Sequence, residues 1–357
     1  MTPRERFNRV MHFQEADRIP NEEFGYWGET IERWRGEGML QEADEELYFG
    51  LDIRRERRLM PVNNSGTIPG LGYRILSLED LERAKPHYNP HSPERYPENW
   101  DEIVEDYKNR DYPLGLNMTG FFGQPRGWMG LSNACTAYYD NPKLMHAIGE
   151  LWADFLIESS RKAFEEVDID FVQVWEDMGY NHGSLISPQT FREFMTPYYK
   201  RVTDFIRTSG VDVILCDSDG NINNMVELFL EAGVNGLYPL EIVAGTDPIA
   251  IRKRYPDYLL LGGVDKIAIS RGADAIDKEM EKVTWLMERG GYIPFTDHRV
   301  PSDVTLANFK YYMLRKRETI GGDLIPPQCD LTNARQEALK PPKAFIYKPQ
   351  SKGLSLE

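Results

Sequence analysis

The sequence predicts an α/β fold, a (β/α)8 TIM barrel with an elaborated N-terminal segment and a C-terminal arm, and three observations carry that reading. From about Asn141 onward, short β-branched or aromatic runs alternate with amphipathic helical stretches, as a parallel sheet with helical crossovers requires. Acidic residues and a histidine follow those runs at their C-terminal ends, the end at which barrel enzymes carry their chemistry. An open dinucleotide-binding sheet would place GxGxxG after an early strand, and no such motif occurs.

Taken in order, the front of the chain is the least regular part. Residues 28–112 are rich in Glu, Arg and Pro, hold ERRLMPV and GYRILSL as short strands, and are read as a barrel start with a lid or insertion. A strand-like run then opens into the loop GLNMTGFFGQPRGWMGLSN. Asn141-Pro142 and Ser187-Pro188 each place a capping side chain before a proline at the first helical position, where its missing N–H costs nothing. The runs DIDFVQVWED (168–177), VDVILCDSDG, VNGLYPLE, YLLLGGVD and GGYIPFTDH read as buried strands. After Pro188, residues Phe191, Phe194, Tyr198, Val202 and Phe205 fall at intervals of three and four and predict one helix with one apolar face. Residues 1–322 are therefore expected to form a single barrel domain, and the proline-rich stretch 323–357 an arm or tail.

Composition narrows the function. The chain has 357 residues with 42 Lys plus Arg against 57 Asp plus Glu, a formal charge of −15 that opposes binding to nucleic-acid phosphates. No run of 18 apolar residues appears, and the opening MTPRERFNRVMHFQEADRIP lacks the apolar core of a signal peptide, so a cytoplasmic protein without a membrane partner is expected. The three cysteines show no CxxC spacing, which excludes a disulfide framework and a thiolate zinc finger. A homodimer is compatible with all of this.

The densest cluster of chemistry is Asp217-Ser218-Asp219-Gly220-Asn221 after the apolar run VDVIL. Residues i and i+2 at a strand end project to one side, so Asp217 and Asp219 are expected to converge, sharing a proton or holding a cation; the competing reading is a helix cap with an Asx turn. Glu176 ends the preceding strand in WEDM, ahead of Asp177, and is expected at the barrel mouth. Asp297-His298-Arg299 closes the last clear strand, where His298 suits metal ligation or general acid catalysis and the plain alternative is a surface ion pair. His182 and Tyr180 lie in the loop after Glu176 and face the same mouth in this reading. Gly262-Gly263-Val264-Asp265 lacks the GK[ST] ending of a nucleotide loop and is read as a turn presenting Asp265. Phe121, Phe122 and Trp128, with Arg126 between them and Trp27 from the front segment, are read as a substrate wall for a planar ligand, the alternative being a hydrophobic plug.

The ordered motifs TPRERFNRVMHFQEADRIP, WEDM, SPQTFREFMTPYYKRVTDFIRTSGVDVI, DSDGN, EAGVNGLYPLE, GGVDK and GGYIPFTDHRVPSDVTLANFKYY resemble the uroporphyrinogen decarboxylase-like superfamily over roughly residues 1–318. That group contains the porphyrinogen decarboxylase and corrinoid-dependent methyltransferases, and the resemblance implies a barrel with the site at its mouth. True decarboxylases carry an RQAGR-type segment after the RIP element; here the region reads NEEFGYWGETIERW, which would repel a polyanionic porphyrinogen. The thiol-methylating branch binds zinc through a His-x-Cys pair and a later Cys. By position those ligands fall on Asp217, Asp219 and His298, which replaces soft ligands by hard ones and implies zinc or another divalent metal there, with Glu176 or Asp265 completing the shell. No DxHxxG segment of a cobalamin-binding domain is present, so the corrinoid is expected on a separate protein, and this chain is expected to hold no corrinoid, nicotinamide or flavin of its own.

The expectation is a methyltransferase component that moves a methyl group from an O-methyl or related small donor to the cobalt of that partner, with Glu176, Asp217, Asp219 and His298 as catalytic residues. A decarboxylase of uroporphyrinogen or another small acid, with Arg126 and Arg299 as carboxylate clamp, is the second reading, and a non-catalytic ligand-binding barrel the third.

Overall fold

The computed structural model describes residues 1–52, 58–63 and 74–340. Seven parallel strands among them form one curled sheet in the order β1 (Arg58–Leu59), β2 (Leu114–Thr119), β3 (Phe171–Trp175), β6 (Ile214–Asp217), β7 (Gly236–Tyr238), β8 (Leu259–Leu261) and β9 (Tyr292–Ile293), while β4 (Gly179–Tyr180) and β5 (Gly183–Ser184) make a separate antiparallel hairpin. Each of the five runs assigned as strands from residue 168 onward is a strand, and the helices between them supply the crossovers.

The side-chain alternation of the strands sorts the interior into two cores. Phe171, Val213, Leu215, Tyr238, Leu259, Leu261 and Ile293 point to the concave side, where Phe7, Val10 and Met11 of the first helix, Pro3–Met11, join them. Val172, Val174, Ile214, Cys216, Leu237 and Leu260 point outward under the helices. The extended segment around residues 21–27 packs beside the chain that follows β9 and is also tied to Asp52. Asp52 N–H donates to Asn21 O at 2.8 Å, Tyr26 bridges Val300 in parallel, and Glu23 accepts from Thr296 N–H and Oγ1. The buried carboxylate of Glu23 also takes the Tyr312 hydroxyl and the Lys316 ammonium, at 2.6 and 2.8 Å.

Two expectations are corrected. The helix after Pro188 is two helices, Pro188–Phe194 and Thr196–Thr208, because Pro197 cannot continue the hydrogen-bond ladder back to residue 193. ERRLMPV yields the short β1, but in GYRILSL the described residues 74–76 form no strand and lead into the helix Leu78–Ala84. The segment from 323 to 340, the described part of the expected arm or tail, packs on the domain: Cys329 N–H donates to Tyr48 O, and Ala334 and Ala338 are buried. Residues 341–357 lie outside the described residues. The caps at Asn141 and Ser187 form as the sequence requires, accepting from Leu144 and Thr190 N–H. No helix among the described residues is long and apolar enough to cross a membrane.

Candidate functional site

The parallel register sets the ends of β3 and β6 side by side, pairing Trp175 with Asp217, and Asp217 with Tyr238 of β7. Beyond that last pair the chain turns, and the carboxylates of Asp177, Asp217 and Asp219 come together, each offering an oxygen within 4.8 Å of the others. Asp177 reaches this position through a left-handed backbone, φ 48°, the strain expected where a side chain is turned toward a site. Burial raises its proton affinity, and the neighbouring charge of Asp219 adds to the effect. Arg126 partly offsets the negative charge, donating to the Asp177 carbonyl at 2.8 Å and lying 3.6 Å from its carboxylate.

His298 approaches from the end of β9. Its Nε2 is 3.4 Å from Asp219 Oδ2, and its ring lies against Phe24 and Trp27, with centroids 5.3 and 5.8 Å away. The hydrogen bond to Asp219 is the leading cause of a raised imidazole proton affinity, against an opposing contribution from burial. Trp27 is exposed and carries the Arg299 guanidinium over its face at 5.2 Å. Asp219 sits in a turn that only glycine can complete. Gly220 has φ 88°, and a Cβ there would fall 2.4 Å from the Gly179 carbonyl carbon and 2.5 Å from Tyr180 N. Gly220→Ala is expected to cost about 2–4 kcal/mol in urea unfolding, by strain and by displacing the β4–β5 hairpin; an unchanged midpoint would show that the turn relaxes freely.

The remaining residues singled out in the sequence lie elsewhere. Glu176 is wholly buried beneath the cluster, where its carboxylate accepts the N–H groups of Phe121, Phe122 and Gly123 at 2.8, 2.8 and 2.7 Å, together with the Tyr199 hydroxyl. Burial pushes it up to about 7. Gly120 makes this anchoring fit, since a Cβ there would stand 2.2 Å from the Glu176 carboxyl carbon. Phe121, Phe122 and Trp128 are buried in the outer core, Phe121 against Tyr199 and Trp128 against Tyr88 and Trp152, so the plug reading describes them better than a ligand wall. Asp265 caps the helix Lys266–Ser270 through Ile267 N–H and does not belong to the three-carboxylate group. Tyr180 and His182 are exposed on the hairpin, rings 5.7 Å apart, and the Tyr180 carbonyl accepts from Asn221 N–H.

Two residues absent from the sequence reading as functional groups border the site. Lys266 is buried with its ammonium 3.2 Å from Asp297 and 3.4 Å from Glu241. The signal available was Lys266 inside GGVDK and Glu241 inside PLE, each in the turn that follows a strand.

As a donor set, Asp217, Asp219 and His298 do not close on one point, because His298 is committed to Asp219 at the edge of the group. The residues within one ion's reach are three carboxylates, hard oxygen donors that suit Mg²⁺, Mn²⁺ or Ca²⁺ rather than zinc with thiolate ligands.

Comparison with known proteins agrees with this architecture. The chain superimposes on a methyltransferase from Methanosarcina mazei with a TM-score of 0.58 at 15% identity, covering 90% of this chain and 100% of that one. A weaker likeness, TM-score 0.34 and 12% identity over 62% of this chain and 70% of the other, is to a putative vitamin-B12 independent methionine synthase from Listeria monocytogenes. No curated protein matches the sequence. The family model for uroporphyrinogen decarboxylase (URO-D) matches residues 62–318, most of the chain, and the protein belongs to that family.

Proposed function

We propose that the protein is the substrate-end methyltransferase of a corrinoid system, built on a (β/α)8 barrel in which the segment around residues 21–27 takes the eighth position. The observation that carries the reading is the Asp219–His298 pair at the strand ends, 3.4 Å apart and beside two further carboxylates. A small O-methyl donor is a poor substrate because its oxygen leaves badly; the barrier falls when that oxygen is protonated as the methyl group departs. A corrinoid on a separate docked protein would supply the cobalt(I) nucleophile for the methyl group. His298 delivers its Nδ1 proton to the departing oxygen, Asp219, facing Nε2, holds the imidazole in its protonated form, and Trp27 and Phe24 shape the wall against which a flat donor rests. The C–O bond breaks, the methyl group leaves without that bond's electron pair, and the oxygen keeps the pair and gains the proton.

This version uses acid chemistry in place of a metal. Asp177, Asp217 and Asp219 would hold a hard divalent ion, which would supply charge neutralisation rather than a zinc-bound thiolate. The test is a reconstituted assay with a cobalt(I) corrinoid protein and a panel of aryl methyl ethers, followed by the visible spectrum of the cobalt. Methyl transfer is expected to survive exhaustive chelation. Loss on chelation with recovery on adding Mg²⁺ or Mn²⁺ would replace the acid version by the metal one. Release of carbon dioxide from a carboxylic acid without methyl transfer would favour the decarboxylase. That reading has Arg126 in its support, but Asp177 already engages the guanidinium.

A further inference from the structure

The Asp219–His298 contact closes a ring of interactions that runs through four strand ends. From Asp219 the chain passes to Gly220, whose N–H donates to Glu241 Oε2 at 3.0 Å. The other oxygen of Glu241 lies 3.4 Å from Lys266 Nζ, and Lys266 Nζ lies 3.2 Å from Asp297 Oδ1. Asp297 also accepts the backbone N–H of Lys266 at 3.1 Å and of Ile242 at 2.9 Å, and the next residue in the chain is His298. Each link is a hydrogen bond or one peptide unit except the closing Asp219–His298 ion pair at 3.4 Å, so the separation of that pair is set by Glu241 and Lys266 as well as by their own strands.

We infer that Glu241 and Lys266 are positioning residues that hold Asp219 and His298 at working distance. This rests on the reading that the pair delivers a proton. Stability alone is a poor account of the arrangement. A lysine side chain only 11% exposed at the first residue of a helix is desolvated and opposes the partial positive charge of the helix start, and apolar packing would stabilise the same volume at least as well. Nor does the turn need Glu241 to exist: Thr246 Oγ1 donates to the Gly220 carbonyl at 2.9 Å and accepts from Ile222 N–H at 3.2 Å, so the backbone there stays tied when Glu241 is removed. What Glu241 adds is the direction in which Gly220, and with it Asp219, faces.

Glu241→Ala and Glu241→Gln separate the roles, because glutamine keeps an acceptor for Gly220 N–H and alanine does not. The probe is diethyl pyrocarbonate at one fixed pH, with carbethoxylation of His298 read by peptide mass spectrometry and exposed His91 in the same digest as reference. Freed from Asp219, His298 is expected to label on the order of tenfold faster in Glu241→Ala, the factor that corresponds to one lost hydrogen bond, and close to the wild-type rate in Glu241→Gln. Hydrogen exchange of the peptide holding Gly220 should rise in the same variant. Wild-type labelling in Glu241→Ala, or equal acceleration in both variants, would overturn the inference. The labelling requires no methyl donor, so coupling without methyl transfer rejects the functional reading and leaves the ring standing.

Discussion

Glu176→Ala is expected to cost about 4 kcal/mol or more of folding free energy, seen as a lower urea midpoint with little change in the slope of the transition. The carboxylate is the common acceptor for Phe121, Phe122 and Gly123 N–H and for the Tyr199 hydroxyl. Alanine leaves these donors facing a void that water does not reach, at about 1–3 kcal/mol for each group left unpaired. It also removes the volume that the turn 120–123 closes on. Glu176→Gln preserves the shape and reports the ionisation. Burial raises the carboxyl from 4.5 to about 7. A group whose folded value lies above its unfolded value contributes stability that is complete below the unfolded value and is lost as pH rises through the folded one. At about 1.4 kcal/mol per unit, roughly 3 kcal/mol disappears from the wild type by about pH 8. The glutamine variant does not titrate, so its stability relative to wild type should improve steadily across that interval. A difference that stays flat would show that the four donors keep Glu176 ionised throughout and that burial is outweighed.

Glu176 also marks where sequence and structure part. The runs after residue 168 were legible because fully buried parallel strands leave continuous apolar stretches, and the proline-preceded caps at Asn141 and Ser187 fixed two helix starts. That acids stand at the strand ends was legible too. Which way each one faces was not, since one residue along a strand end turns a side chain from the mouth to the interior. Glu176 turns inward to hold the 121–123 turn, while Asp177, one residue later and in a left-handed conformation, joins Asp217 and Asp219. Asp265 likewise follows a strand, yet it is spent on a helix N-terminus. Glu241 and Lys266 were missed for a related reason: their partners are 21 to 31 residues away along the chain, and no local pattern encodes a pairing across four strand ends. The aromatic loop misled through composition, because Phe121, Phe122 and Trp128 look the same in sequence whether they line a ligand or fill a core.

His298→Gln is expected to lower kcat by a factor on the order of 10²–10⁴, the usual contribution of a positioned general acid, with KM for the donor little changed. The sharper test is Asp219→Asn. His298 acts while protonated, so activity falls as pH rises through its ionisation, and the hydrogen bond and charge of Asp219 are what hold that ionisation above the ordinary value of 6.5. Other groups act on the imidazole as well: Lys266 lowers its proton affinity and Glu241 raises it, while Asp177 stands across the cluster. None of them replaces the direct contact at 3.4 Å. Asparagine keeps the size and removes the charge, so the alkaline limb of the kcat profile should move to lower pH, and activity should recover most at acidic pH, where His298 is protonated without help. An alkaline limb that stays in place in Asp219→Asn, with activity reduced equally at every pH, would mean that Asp219 acts on the substrate or on a cation and that His298 is not the proton donor.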